Sequence, residues 1–310
     1  MRKVLAAASL SASAWGAALA APPPEIADQL RKIGPRIEMA KTSQIYAALL
    51  PADIYAGTSV TRDLAYGPDE KQKLDVFTPD GGKSRARPVL VFVHGGGFIG
   101  GDKHGGSSPL YDNVVAWAAR HDMIGVNLNY RLAPANPWPT GGEDVGLAID
   151  WIKRDIGRFG GDADRIFLWG HSVGATHVAD YIAHAHRPPN VGGDIKGAIL
   201  TSGQIYDMTG PNVSKPYYGE DEARYPAMAT LPGLVRSRTP LMITSAELDP
   251  PAFKAQTAVL EAALKDAGRR PLSVELAGHS HISEIYAIGT PDTELSDAVQ
   301  AFIKAGSARR

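Results

Sequence analysis

A serine, an aspartate and a histidine in the second half of this 310-residue chain have the types and the order that nucleophilic catalysis requires. Ser172 is the centre of a Gly-x-Ser-x-Gly pentapeptide, and Asp249 and His281 follow it in that order. A serine hydroxyl is a weak nucleophile at neutral pH, so it needs a base that takes its proton and an acid that orients the base. The three residues therefore predict acyl transfer through a covalent serine intermediate.

The pentapeptide Gly170–Gly174 is common by itself, and its context makes it informative. The apolar stretch Ile166–Trp169 predicts a short buried strand before it, and a helical pattern runs from Ala175 to Ala185 after it. Strand, sharp turn and helix form the context of a nucleophile elbow, in which the serine hydroxyl stands exposed above a sheet. A serine at this position could also be an ordinary helix cap, but the two glycines and the buried strand favour the nucleophile.

The acid and the base each have a second candidate nearby. Glu247 lies on the same segment as Asp249, but Asp249 is further beyond the end of the predicted strand, where its side chain can reach over the sheet edge. His279 and His281 both follow Gly278, in a loop after the last predicted strand. We favour Asp249 as the acid and His281 as the base, with Glu247 and His279 as the alternatives.

The oxyanion of a tetrahedral intermediate needs backbone N–H donors. Val173 follows the nucleophile directly, and Gly96 and Gly97 lie in a glycine-rich loop after the predicted strand Val89–Val93. These three residues are the predicted oxyanion hole. His94 opens the same loop, and we expect its ring to bond loop backbone, because no partner stands at metal-ligand spacing from it. We expect neither a metal nor a cofactor.

The stretch Gly95–Gly100 formally matches the Gly-x-Gly-x-x-Gly pattern of dinucleotide-binding sites. Such a site also needs an acidic residue at the end of the next strand. The next predicted strand ends at Tyr130 and carries no carboxylate there. The pattern therefore does not indicate a nucleotide site.

Alternating strands and helices from residue 89 onward predict an α/β fold, with a parallel sheet covered on both faces. Two antiparallel edge strands are predicted within residues 58–78, and helices within residues 25–50 are predicted as a lid or flank. The later predicted elements are the strands Val89–Val93, Met123–Tyr130, Ile166–Trp169, Ala198–Ser202, Leu241–Ser245 and Ser273–Leu276, and the helices Leu110–Arg120, Glu143–Ile156, Ala175–Ala185, Phe253–Ala267 and Ser296–Ala305.

Residues 203–235 interrupt this alternation with a stretch rich in glycine, proline and tyrosine. A long insertion after the carboxyl end of a strand is more typical of a cap over a site than of a separate domain. Residues 21–310 are therefore predicted to form one domain. Phe98, Trp138 and Tyr206 stand near the predicted loops and are expected to line a compact substrate pocket, although packing is the alternative role for each.

Composition excludes several classes of protein. Apolar residues make up 44% of the chain and charged residues 21%, and the formal net charge is −1. These values are typical of a folded globular protein and give no basic surface for nucleic acid. The chain has no cysteine, which excludes disulfides, a cysteine nucleophile and Cys-based metal sites.

The first twenty residues have the pattern of a bacterial secretory signal. Arg2 and Lys3 are followed by the apolar, alanine-rich stretch Val4–Ala17, and Ala18–Ala20 is a small-x-small cleavage pattern. The apolar stretch is short for a helix that spans a bilayer. We expect cleavage after Ala20, a periplasmic or secreted protein, and no stable membrane association afterwards.

Several segments resemble the α/β-hydrolases of the carboxylesterase type, near the hormone-sensitive-lipase-like esterases. The matching segments are His94–Phe98, Tyr130–Pro139, Gly170–Gly174 and the regions of Asp249 and His281. The resemblance covers about residues 60–305. It implies the α/β-hydrolase fold, the triad of Ser172, Asp249 and His281, and an oxyanion hole at Gly96, Gly97 and Val173.

Two further segments, Lys73–Val76 and Gly101–Lys103, are more similar to the bacterial branch that resembles kynurenine formamidases. The chain departs from the esterase pattern at Val173, where alanine is usual, and after His281, where an aromatic residue is common. The sequence thus predicts an exported serine hydrolase that cleaves small-molecule esters. An amidase or arylformamidase with the same triad is the alternative, and a hydrolase-fold protein without turnover is a third.

Overall fold

The computed structural model of the chain describes residues 21–81, 86–105, 108–184, 195–209 and 213–308. The predicted secretory segment, residues 1–20, lies outside these described residues. No helix within the described ranges has both the length and the apolar character that crossing a bilayer requires.

One sheet of eight strands occupies the centre of the described chain. The strands are β1 (Thr58–Ala65), β2 (Lys73–Pro79), β3 (Arg87–Val93), β4 (Ile124–Leu128), β5 (Gly161–His171), β6 (Gly197–Thr201), β7 (Leu241–Leu248) and β8 (Leu272–Ser280). Their order across the sheet is β1-β2-β4-β3-β5-β6-β7-β8. As predicted, β1 and β2 are antiparallel at one edge, and β3 to β8 pair in parallel, so the carboxyl ends of those six strands meet at the same edge.

Helices cover both faces of this sheet. They are α1 (Pro24–Ile33), α2 (Met39–Tyr46), α3 (Asp112–Arg120), α4 (Thr140–Asp155), α5 (Val173–Ala183), α6 (Lys215–Tyr218), α7 (Tyr225–Met228), α8 (Leu231–Arg236), α9 (Pro251–Asp266), α10 (Ser283–Tyr286) and α11 (Glu294–Ser307). In β3, Val89 and Val91 belong to the core under α4, α5 and α9, whereas Leu90 and Phe92 belong to the core under α1, α3 and α11. Because both faces are buried, this strand is apolar throughout rather than alternating.

The observed strands near the site extend further than their apolar patterns. β7 continues to Leu248 and β8 to Ser280, because the two strands keep pairing after an irregularity, with Leu248 opposite Ser280. Helix α5 begins at Val173, two residues before its predicted start, because the Ala175 N–H donates to the carbonyl oxygen of Ser172 (3.0 Å) and closes the first turn. Backbone hydrogen bonds, rather than apolar side chains, set these boundaries.

The two N-terminal helices pack on the edge of the domain that carries β8. Ile26 and Leu30 of α1 are buried in the core that also contains Leu276 of β8. Tyr46 of α2 stacks on Tyr286 of α10, with ring centroids 6.4 Å apart. The two helices therefore pack beside β8 and α10.

The predicted cap segment folds into the short helices α6, α7 and α8 within its described residues, 203–209 and 213–235. The Tyr217 ring of α6 stacks on the Phe98 ring, with centroids 4.5 Å apart. Tyr218, Tyr225 and Met228 belong to the same apolar cluster. The segment therefore packs on the loop that follows β3.

Candidate active site

The carboxyl ends of β3, β5, β7 and β8 carry the residues that the sequence singled out for chemistry. The loop that starts at His94 follows β3, Ser172 follows β5, Asp249 follows β7 and His281 follows β8. Sites in open parallel sheets lie outside this edge. The fold thus brings together groups that are far apart in the chain.

Ser172 occupies a strained turn between β5 and α5. Its φ of 57° and ψ of −125° lie in a region that non-glycine residues rarely adopt. Its N–H donates to the carbonyl oxygen of Thr201 (2.9 Å), which ties the turn to β6. A Cβ on Gly174 would overlap the Val93 carbonyl oxygen, so only glycine allows α5 to start this close to β3. This is the geometry of the predicted nucleophile elbow.

His281 and Asp249 form a buried pair. His281 Nδ1 lies 2.8 Å from Asp249 Oδ1. The other carboxylate oxygen, Oδ2, accepts hydrogen bonds from the Ser202 hydroxyl (2.6 Å) and the Ala246 N–H (2.9 Å). These donors fix the orientation of the carboxylate. His281 Nε2 has no hydrogen-bond partner among the described residues, so this nitrogen is open to accept a proton.

The alternative acid and base have partners of their own. Glu247 accepts a hydrogen bond from the Gly278 N–H (2.7 Å). His279 Nδ1 lies 3.2 Å from the Ser283 hydroxyl oxygen, and its Nε2 lies 3.3 Å from an oxygen of Asp292. The geometry therefore favours Asp249 and His281 over the two alternatives.

The glycine loop after β3 approaches Ser172 closely. An ideal Cβ built on Gly95 would lie 3.0 Å from Ser172 Cβ. Gly96 has a φ of 141°, its carbonyl oxygen accepts from the Gly100 N–H (3.0 Å), and a Cβ on it would overlap the Gly100 backbone. Val173 is the first residue of α5, where the initial N–H groups have no partner within the helix. The predicted oxyanion donors thus stand on both sides of the serine.

A cavity of ≈ 490 Å³ opens at this place. Ser172, His281, Gly96 and Gly97 line it. Its other lining residues are Ile37, Met39, Gly95, Gly101, Asp102, His104, Gly105, Leu110, Tyr111, His171, Gln204 and Ile282. Among these, the segment at the start of α2 contributes two exposed apolar side chains, Ile37 and Met39. The N-terminal helices therefore contribute to the rim of the cavity as well as flanking the sheet.

Among the described residues, those that line this cavity do not include Phe98, Trp138 or Tyr206. Phe98 is 1% exposed beneath Tyr217. Trp138 donates from Nε1 to Asp180 (3.1 Å), and Tyr206 is 1% exposed within the core under α4 and α5. These three aromatic side chains pack the interior and the cap, in place of the substrate contacts that the sequence predicted.

His94 has the structural role that the sequence predicted. Its Nδ1 lies 2.6 Å from the Gly95 carbonyl oxygen, and its ring stacks on Tyr130 with centroids 4.4 Å apart. Burial lowers the pKa of His94 to about 4, so the ring is neutral at neutral pH. It holds the start of the glycine loop.

One group among the described residues, His171, His281 and Glu284, has metal-ligand atoms within 4.8 Å of one another. His281 Nδ1 is already bonded to Asp249, and His171 Nε2 lies 2.8 Å from the His281 carbonyl oxygen. We therefore interpret this group as the surroundings of the base rather than as a metal centre.

The family model of the carboxylesterase family matches residues 72–214. The chain is 28% identical to esterase LipQ of Mycobacterium tuberculosis over 81% of this chain and 63% of that protein. It is 33% identical to secreted lipase 5 of Gibberella zeae over 51% of this chain and 32% of that protein. Esterase B of Lactobacillus rhamnosis has the same fold, with a TM-score of 0.73, 15% identity and coverage of 91% of this chain and 94% of that one.

The chain has the α/β-hydrolase fold. It spans about a third of the length of secreted lipase 5 and less than two thirds of LipQ. The matched part of the chain includes the glycine loop and the elbow, whereas Asp249 and His281 lie beyond the residues that the family model matches.

Sequence reasoning missed three residues that surround His281. Ser202 stands at the carboxyl end of β6 with a φ of 47°, and its hydroxyl donates to Asp249. His171 and Glu284 contact the base from other elements. The position of Ser202 at a strand end was the only available signal, since a serine there carries no motif.

Proposed function

We propose that this α/β-hydrolase cleaves small carboxylic esters through an acyl-enzyme on Ser172, with His281 as the base and Asp249 as its acid. The observation that carries the proposal is the buried His281–Asp249 pair. Nε2 of His281 has no hydrogen-bond partner among the described residues, and His281 lines the same cavity as Ser172. Similarity to esterases and lipases supports the same reaction class.

In the first half of the reaction, the Ser172 oxygen attacks the ester carbonyl carbon, and its proton passes to His281 Nε2. The carbonyl π electrons move onto oxygen and form a tetrahedral oxyanion. When the C=O bond re-forms, the bond to the alcohol oxygen breaks, and His281 returns the proton to the leaving alcohol. Water then repeats the sequence on the acyl-enzyme, which releases the acid and restores the Ser172 hydroxyl.

Two features of the site support this cycle electrostatically. The Asp249 carboxylate lies against His281 Nδ1 and would stabilise the imidazolium that forms when Nε2 takes the proton. The N–H groups of Gly96, Gly97 and Val173 are the proposed donors to the oxyanion. Backbone donors of this kind need no reorganisation during the reaction.

The cavity supports a small substrate. A volume of ≈ 490 Å³ lies within the range of small-molecule pockets. Ile37, Met39, Leu110 and Ile282 give it apolar walls, which suit a short acyl or alkyl group. Esters of short acids are therefore the proposed substrates.

A panel of p-nitrophenyl esters graded from acetate to long acyl chains tests the proposal. We expect kcat/KM to be highest for the short chains and to fall as the acyl chain outgrows the cavity. N-formylkynurenine is the comparison substrate. Turnover of N-formylkynurenine in preference to every ester would replace the esterase proposal with an arylformamidase, and no turnover of either would favour a non-catalytic protein.

We also propose that the chain is exported before it acts. The charged start, the apolar stretch and the small-x-small pattern of residues 1–20 support this. N-terminal sequencing of the protein recovered outside the cytoplasm should begin at Ala21. A start at Met1 would contradict cleavage.

A further inference from the structure

Glu284 is a buried carboxyl group that the proposed reaction does not use. It lies three residues after His281, on the one-turn helix α10, and it is 0% exposed. Neither of its carboxyl oxygens has a hydrogen-bond partner among the described residues. A buried carboxylate without donors is strongly unfavourable, so this group needs a physical explanation.

The nearest groups belong to the surroundings of the proposed base. Glu284 Oε1 lies 3.6 Å from His171 Nε2, and the same nitrogen lies 2.8 Å from the His281 carbonyl oxygen. The rings of His171 and His281 have centroids 4.7 Å apart. Glu284 thus reaches His281 through a histidine that contacts both its backbone and its ring.

The ionisable groups around Glu284, among the described residues, are Asp249, His171 and His281. Burial, and then the negative charge of Asp249, raise the pKa of Glu284 well above its ordinary value, and the nearby Ser202 hydroxyl opposes this rise only in part. Burial, and then the proximity of His281, lower the pKa of His171 well below its ordinary value. His171 therefore supplies no positive charge that would stabilise a Glu284 carboxylate.

We propose that Glu284 is a positioning residue for His281, held in the folded protein as a neutral carboxylic acid beside His171, Ser202 and Asp249. As a neutral group it supports the base and leaves Asp249 as the negative charge next to the imidazolium. An ionised Glu284 would place a second negative charge beside the Asp249–His281 pair. The kinetic part of this inference rests on the proposed function, whereas the charge state of Glu284 does not.

The charge state of Glu284 is tested by the pH dependence of the stability of the folded protein. The ordinary pKa of a glutamate carboxyl group is 4.5. Above this pH the unfolded chain has released the Glu284 proton, whereas a neutral Glu284 still holds it in the folded protein. Its contribution to stability is therefore complete below that pH and is lost as the pH rises toward the raised pKa of the folded state. Glu284→Gln removes this dependence. We expect the unfolding constant of the wild type, divided by that of Glu284→Gln, to rise by up to about tenfold per pH unit above pH 4.5.

Glu275→Gln is the matched control, because it is the same substitution at an exposed position on β8. We expect the corresponding ratio for this control to stay constant with pH. A constant or falling ratio for Glu284→Gln would overturn the proposal, because it would mean that the carboxyl is ionised in the folded protein. This measurement needs no turnover, so it decides the charge state even if the esterase proposal fails.

The positioning role is tested by kinetics with p-nitrophenyl acetate. Glutamine matches the shape of glutamic acid and is polar and uncharged, so Glu284→Gln should keep kcat at pH 7 within about threefold. Leucine has a different shape and no polar atoms, and Glu284→Leu should lower kcat by about tenfold with little change in KM, because the residue acts through His281 and not on the substrate. Equal kcat values for the two variants, or a loss confined to KM, would overturn the role. If Glu284→Leu does not fold, the comparison of wild type with Glu284→Gln in the pH–stability series remains decisive.

Discussion

Replacement of Ser172 by alanine should lower kcat for p-nitrophenyl acetate by about 10⁴- to 10⁶-fold. The substitution removes the oxygen that forms the acyl-enzyme and leaves the cavity and the glycine loop in place. The residual rate comes from direct attack of water on the bound ester, which substrate binding and stabilisation of the oxyanion still accelerate. Initial rates at saturating substrate, with enzyme purified free of other esterases, measure the effect.

Ser237→Ala is the control for this variant, because Ser237 lies in the connection before β7, at the edge of the sheet opposite the site. It should keep the wild-type rate. Circular dichroism and thermal unfolding establish that both variants fold. A folded Ser172→Ala variant that retains near wild-type kcat would remove the nucleophile from the proposed mechanism.

Glutamine substitutions at the two histidines of the β8 segment should separate the base from its neighbour. His281→Gln keeps a side chain of similar size but has no group that accepts the serine proton, so kcat should fall by about 10³- to 10⁵-fold. His279→Gln should keep kcat within about tenfold. Its main effect should be on stability, because His279 is fully buried between Ser283 and Asp292.

The pattern of the two variants carries the conclusion. A large loss of kcat in His281→Gln, without one in His279→Gln, supports the assignment of His281 as the base. The free energy of unfolding of each variant, measured in urea, establishes that both variants are folded. The reverse pattern, with His279→Gln inactive and His281→Gln active, would transfer the role to His279. It would also require a rearrangement, since His279 Nε2 faces Asp292 in this structure.

The sequence was most informative where burial imposes a pattern. Val89–Val93 is apolar throughout because both faces of β3 are covered, and the pattern predicted the strand within two residues. The end of β8 was missed because Gly278–Ser280 has no such pattern. There the hydrogen bonds to β7 extend the strand, and those bonds depend on a neighbour that is distant in the sequence.

In the candidate site, too, some residues could be predicted from the sequence and others could not. Ser172, Asp249 and His281 could be proposed from the sequence because their chemistry restricts both residue type and position at a strand end. Ser202 and Glu284 were missed because a lone serine or glutamate has no motif. The three aromatic residues expected in the pocket were misplaced because aromaticity near a loop does not distinguish packing from substrate contact.

The most direct test of the proposed mechanism is the position of a covalent adduct. The protein is treated with a fluorophosphonate, which reacts with activated serine hydroxyls, and the modified residue is located by peptide mass spectrometry. We expect one phosphonylated serine, at Ser172, with loss of hydrolysis in proportion to labelling, and no adduct in folded Ser172→Ala. Absence of labelling in folded wild-type protein, or an adduct at another serine that parallels the loss of activity, would contradict the mechanism.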